Sequence, residues 1–100
     1  MLLNDKNYKE NLKGTCIVEV SGESCANCLS LMPVLDNLVS KRNDCVLHHV
    51  EVDDFSMGFV REYEIYSVPT ILILKDGKEV SRCRGFQPEE ILEVWLNAKI

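Results

Sequence analysis

Cys25 and Cys28 flank Ala26 and Asn27 at the point where a β-branched run, Thr15 to Val20, gives way to a helical pattern. Two thiols at this spacing beside a β-α-β pattern favour thiol and disulfide chemistry over a structural staple, because the strand-to-helix junction exposes the first sulfur to helix-end amides. Those unsatisfied amides and the positive end of the helix dipole stabilise a thiolate, so Cys25 is expected to ionise more readily than an ordinary cysteine. Farther along, Val68-Pro69-Thr70 opens another apolar run, and Glu19 stands out as an acid inside the first one. His48 and His49 are neighbours on a strand pattern, so they face opposite sides and at most one can approach Glu19.

The elements that must position these residues follow from the rest of the chain. Its 100 residues suffice for one small domain with a single core, residues 1–100, and leave no room for a second. With 46% hydrophobic and 27% charged residues it reads as an ordinary globule, and its apolar runs are too short to span a bilayer. A net charge of -5 argues against nucleic acid as a partner, which calls for a positive field. Met1 to Asn7 lacks the long apolar core of a secretory signal, so the chain is expected in the cytoplasm. Its five cysteines cannot all pair within one chain, which fits a reducing compartment. Cys16 and Cys45 lie in apolar strand patterns and read as small buried hydrophobes. Cys83 has two readings: an edge-strand cysteine, or, if exposed between Arg82 and Arg84, a thiol with a favoured thiolate.

Asn4 to Leu12 predicts a short amphipathic helix that Gly14 ends. Thr15 to Val20 lacks strict alternation and predicts a central strand covered on both faces. From Cys25 to about Lys41, Cys28, Leu31, Met32, Leu35, Leu38 and Val39 share one helical face, with Pro33 expected to kink the helix. A second strand is predicted over Cys45 to Val52, and a short helix over Phe55 to Tyr63. A third strand follows over Thr70 to Leu74, then a tight Lys75-Asp76-Gly77-Lys78 turn, a return strand to Arg84, and a last helix from Glu89 to Ala98 opened by Pro88. Right-handed crossovers then give an α/β fold of order α-β-α-β-α-β-β-α, with a central mixed four-stranded sheet flanked by helices.

Taken together, Cys25-Ala26-Asn27-Cys28, Pro33, Val68-Pro69-Thr70, the hairpin and Gly85 resemble the thioredoxin family over nearly the whole chain. The resemblance implies a thioredoxin fold, with an amino terminus too short for the family's extra first strand. It implies that Cys25 attacks, that Cys28 resolves, and that Pro69 is a cis-proline facing the sulfurs. It further implies that Gly85 keeps a client groove open and that Ser67 and Val68 offer backbone groups to an extended client. Ser24, Ala26, Asn27 and Phe86 would border that groove, with packing an equal alternative for Phe86. Glu19 aligns with the family's buried aspartate, which exchanges protons with the resolving cysteine, and His49 with a lysine found near it in many bacterial members.

The departures are as informative. Typical members carry Trp-Cys-Gly-Pro-Cys, whereas this chain has Ser24-Cys25-Ala26-Asn27-Cys28, and Ser21 replaces a second tryptophan, so the surroundings of the sulfurs should be more polar and open. Asn27 in place of proline adds an amide donor near Cys25, which predicts a weaker reductant than the roughly -270 mV of typical thioredoxin. The activity implied is a cofactor-free, monomeric protein-disulfide reductase acting on disulfide-containing client proteins, recharged by a thioredoxin-reductase-like or low-molecular-weight thiol donor. Two rival readings stay open: a redox-inactive binding or scaffold module on the same fold, and a metal site using Cys25, Cys28 and the histidine pair.

Overall fold

In the computed structural model, which describes Met1–Ile100, the chain runs β1 (Leu2–Leu3), α1 (Tyr8–Asn11), β2 (Thr15–Ser21), α2 (Ala26–Ser40), β3 (Val46–Glu51), α3 (Met57–Glu62), β4 (Thr70–Lys75), β5 (Lys78–Arg84) and α4 (Glu89–Lys99). The strands form one mixed sheet in the order β1-β3-β2-β4-β5. β1, β3 and β2 are parallel, while β4 runs antiparallel to β2 and β5 to β4. The expected α/β fold with helices on both faces is present, with five strands instead of four. The added strand is two residues long, too short for any hydrophobic period to show in the sequence. It is set by pairing of Leu2 with His49 and Leu3 with Val50, and by the His49 amide donating to the Met1 carbonyl at 2.9 Å.

β2 lies in the middle because nearly every residue in it is apolar or partnered. Cys16, Val18 and Val20 project into one layer with Tyr8, Leu12, Phe59 and Tyr63 from the α1 and α3 side. Ile17 projects into the other with Leu31, Leu35 and Leu38 of α2 and Leu92 and Leu96 of α4. This two-sided burial explains why the run shows no alternation of polar and apolar residues.

The first helix is shorter than its pattern suggests. Asn4 to Asn7 form the turn that leads into it, where Asn7 Oδ1 accepts from the Asn4 amide at 2.8 Å and Asn4 Oδ1 from the Lys6 amide at 2.9 Å, so side chains satisfy two amides that a helix start leaves without partners. The β4–β5 hairpin turns on Asp76 and Gly77, whose φ angles of 51° and 81° are left-handed at both central positions, the geometry of a two-residue hairpin turn. Asp76 also accepts from the Gly14 amide at 2.8 Å, tying the turn to the entry of β2.

α3 has no cap from its own chain neighbours. Asp5 supplies one from a distance: its carboxylate accepts from the Gly58 amide at 2.9 Å and the Phe59 amide at 3.0 Å. The same contact seats Phe59, fully buried with its ring 5.3 Å from Tyr8 and 4.7 Å from Tyr63. Replacing Asp5 by Ala should therefore lower stability by about 1 kcal/mol, the usual worth of a helix cap. Urea unfolding will show this as a lower midpoint at unchanged slope, and an unmoved midpoint would contradict the capping role.

Candidate active site

β2 ends at Ser21, and the loop Gly22-Glu23-Ser24 carries the chain to the start of α2. Ser24 takes a left-handed φ of 57°, which turns the loop so that Cys25 becomes the N-cap of α2. The Cys28 amide, one of the orphan donors of the first helical turn, donates to Cys25 Sγ at 3.2 Å. Cys25 and Cys28 are joined as a disulfide, with Cα atoms 5.3 Å apart. Cys25 is half-buried and Cys28 only 2% exposed. The inequality follows from the helix period: Cys28, Leu31, Leu35 and Leu38 form the buried stripe, which turns Cys28 inward and leaves Cys25 at the surface. Pro33 sits inside this continuous helix.

Glu19 lies on the same face of the sheet as α2 and is fully buried. Its carboxylate has two partners. Ser21 Oγ donates to Oε2, and His49 Nδ1 lies 3.2 Å from Oε1. Glu19 and His49 are register partners across β2 and β3, so the parallel pairing itself brings them together. His49 Nε2 lies 4.0 Å from the exposed Asp36 carboxylate on α2. His48 faces the opposite layer, where Nδ1 approaches the amino terminus at 3.4 Å and burial pushes its pKa down. The two histidines therefore cannot converge on the cysteine pair.

The Val68-Pro69 bond is cis. Val68 uses neither its amide nor its carbonyl in a backbone hydrogen bond, while the Ser67 carbonyl accepts from Thr70 Oγ1 at 2.7 Å. The Gly85 amide donates to the Pro69 carbonyl at 2.8 Å, which couples the end of β5 to the proline step. Gly22 lies close to that step: a Cβ on Gly22 would stand 3.0 Å from Val68 Cγ2, so a side chain there would need the valine to give way. Phe86 follows Gly85 as an exposed side chain and joins neither core layer. A concavity of about 450 Å3 opens at the disulfide, lined by both cysteines, Ser21, Ser24, Leu29, Met32 and Glu51 among others. The sequence shows the polar surroundings of the sulfurs and puts Met32 on the helical face of Cys28, but not Glu51 at this wall, since only the β3–α2 packing brings it there.

The remaining cysteines behave as packing residues. Cys16 is buried, and Cys45 and Cys83 pack against the α2–α4 layer. Burial pushes all three thiols up. For Cys83 this decides between the two readings in favour of an edge-strand cysteine. Its neighbour Arg82 is engaged by the Glu79 carboxylate and the Tyr63 and Glu64 carbonyls, away from the sulfur.

A family model described as Thioredoxin matches residues 1–98. The chain belongs to the thioredoxin family. It is 29% identical over 97 residues to a thioredoxin of Chlamydia pneumoniae, covering 96% of this chain and 94% of that one. It is 33% identical over 89 residues to a thioredoxin of Bacillus subtilis, covering 88% and 85% respectively. A mitochondrial thioredoxin of Mus musculus is 32% identical over 91 residues, 90% of this chain and 54% of the mouse protein. Family and disulfide together identify a thiol-disulfide oxidoreductase with a Cys-x-x-Cys redox pair. No helix is long and apolar enough to cross a membrane.

Timed alkylation of the reduced protein near pH 8 checks the assignment of the thiols. Cys25 should react first, Cys45 and Cys83 more slowly than a free cysteine, and Cys16 last. Modification of Cys83 ahead of Cys25 would overturn it.

Proposed function

We propose that this chain is a protein-disulfide reductase in which Cys25 is the nucleophile and Cys28 the resolving thiol. The observation that carries the reading is the unequal exposure of two bonded sulfurs at a helix amino terminus. In the reduced state the Cys25 thiolate, held by the Cys28 amide and the helix dipole, attacks one sulfur of a client disulfide and expels the other as a thiolate. The mixed disulfide is then attacked at Cys25 Sγ by the Cys28 thiolate, which releases the second client thiolate and leaves the Cys25–Cys28 disulfide. The client gains two electrons and two protons. Two electrons and two protons from a reductase or a low-molecular-weight thiol return the pair to its dithiol form.

Cys28 must lose its proton from a position only 2% exposed. Glu19 is the buried acid on that face of the sheet, and in this reading it takes the proton directly or through one water. Ser21 and His49 hold its carboxylate, and His49 and Asp36 lead from it to solvent. Pro69, Val68 and Gly85, with Ser67, Ala26, Asn27, Ser24 and Phe86 around them, form the client face. The free backbone amide and carbonyl of Val68 suit an extended segment pairing with them. The working protein in this reading is a single cytoplasmic domain, monomeric and free of cofactor. A scaffold function on the same fold gives no use to the fully buried, partnered carboxylate of Glu19 on the α2 face of the sheet.

Three variants test the reading with a disulfide-bonded protein as substrate and dithiothreitol as donor. Cys25→Ser should abolish turnover, while pre-reduced Cys28→Ser, freed of dithiothreitol before the client is added, should accumulate a mixed disulfide between Cys25 and the client, visible by mass and cleared by excess thiol. Glu19→Gln keeps the hydrogen-bonding shape but not the basicity, and should slow resolution about 100-fold with little change in formation of the mixed disulfide. Capture of client by Cys28 in the Cys25→Ser protein would reverse the assigned roles.

A further inference from the structure

Two concavities flank the redox loop, and Gly22 and Glu23 border both. One lies beside Val68 and Tyr66 on the proline side. The other, of about 450 Å3, lies on the α2 side and has both cysteines in its wall. Ser24 and Ala26, on the proposed client face, border this second space as well, but no part of a client has been assigned to its interior.

Its walls are of two kinds. Ala26, Leu29 and Met32 make an apolar side along α2, and Leu29 is 72% exposed despite its size. Glu23 and Glu51 stand at the mouth, both exposed. Neither takes part in any of the molecule's ion pairs, which join Arg42 to Asp44, His49 to Glu19 and Asp36, and Arg82 to Glu79. No side-chain hydrogen bond holds either carboxylate, since Glu51 engages Ser56 only through its backbone carbonyl. An apolar trough therefore ends at two carboxylates with no cation of their own.

A long basic side chain is complementary to both features at once. Its methylenes cover apolar surface while its charged head stays at the wet rim, the usual behaviour of lysine and arginine on such a boundary. An acidic side chain in the same place would meet two like charges, and a purely apolar one would leave the carboxylates without a partner. We propose that this concavity is a specificity subsite for a lysine or arginine side chain of the client, close in sequence to the cysteine that Cys25 attacks. The inference rests on the reductase reading and names the client chemistry that reading leaves open. Glu23 and Glu51 act here on client choice and take no part in the exchange of sulfurs.

The test uses synthetic peptides closed by an internal disulfide, with Lys, norleucine or Glu stepped through the two positions on either side of the attacked cysteine. Turnover is read as kcat/KM at low and high salt for the wild type, Glu51→Lys, Glu23→Lys and the double variant. Both residues are exposed and unpaired, so these changes leave the core untouched. At one or more positions the wild type should prefer the Lys peptide to the Glu peptide by about fivefold at low salt, the upper range for a solvent-exposed ion pair, and by less at high salt. The double variant should reverse the order while turning over the norleucine peptide within about twofold of wild type. Equal rates for Lys and Glu at every position, or a preference that survives in the double variant, would overturn the subsite. A wild type that reduces none of the peptides, norleucine included, would instead overturn the reductase reading and this inference with it.

Discussion

The structure turns on one hydrogen bond, from the Cys28 amide to Cys25 Sγ at the first turn of α2. Every helix begins with amides that lack partners, and here a sulfur occupies the capping position that Ser, Thr, Asp or Asn usually fills. The bond therefore serves the helix as a cap and the sulfur as a donor to its charged form. Its geometry depends on parts of the chain far from the cysteines. β2 must deliver the loop at the right end of the sheet, Ser24 must accept a left-handed turn, and Leu31, Leu35 and Leu38 must fix the rotation of α2 against β2 and β4. A helix rotated by one residue would bury the wrong sulfur.

A second constraint is the fully buried Glu19 in the central strand. A carboxyl group out of water destabilises a fold unless it is hydrogen-bonded, so its two partners are part of the architecture. Ser21 comes from the same face two residues along β2, and His49 from the register of β3. On its other side β3 pairs with β1, whose two residues meet His49 and Val50 at the sheet edge. Where an aromatic ring stands in typical members of the family, Ser21 supplies a hydroxyl to that acid, and the concavity beside the disulfide opens next to it.

Much of this was legible in the sequence because the relevant signals are local. The Cys-x-x-Cys pair, the two-sided apolar run of β2, the Asp76-Gly77 turn and the α2 stripe each declare themselves within a few residues, and the cis step at Pro69 was implied by the resemblance they build. What escaped depends on tertiary pairing. β1 is too short to carry a period, and the Asn4 and Asn7 side chains build the turn before α1 through bonds that no helical pattern reveals. The choice between His48 and His49 needed the register of β3, since strand alternation says only that one of them faces Glu19. Glu51 and Met32 belong to different elements and meet at the concavity only through packing, as Asp5 meets the start of α3.

The most direct test of a reversible two-sulfur centre is the equilibrium of the protein in graded thiol-disulfide buffers, quenched by alkylation and weighed. The account predicts that Cys25 and Cys28 lose alkylation together in one two-electron transition, with a midpoint above about -270 mV because Asn27 replaces the usual proline, while Cys16, Cys45 and Cys83 stay reduced. Cys25 and Cys28 remaining alkylatable in every buffer would contradict the redox centre itself, and a midpoint at or below about -270 mV would contradict the part assigned to Asn27.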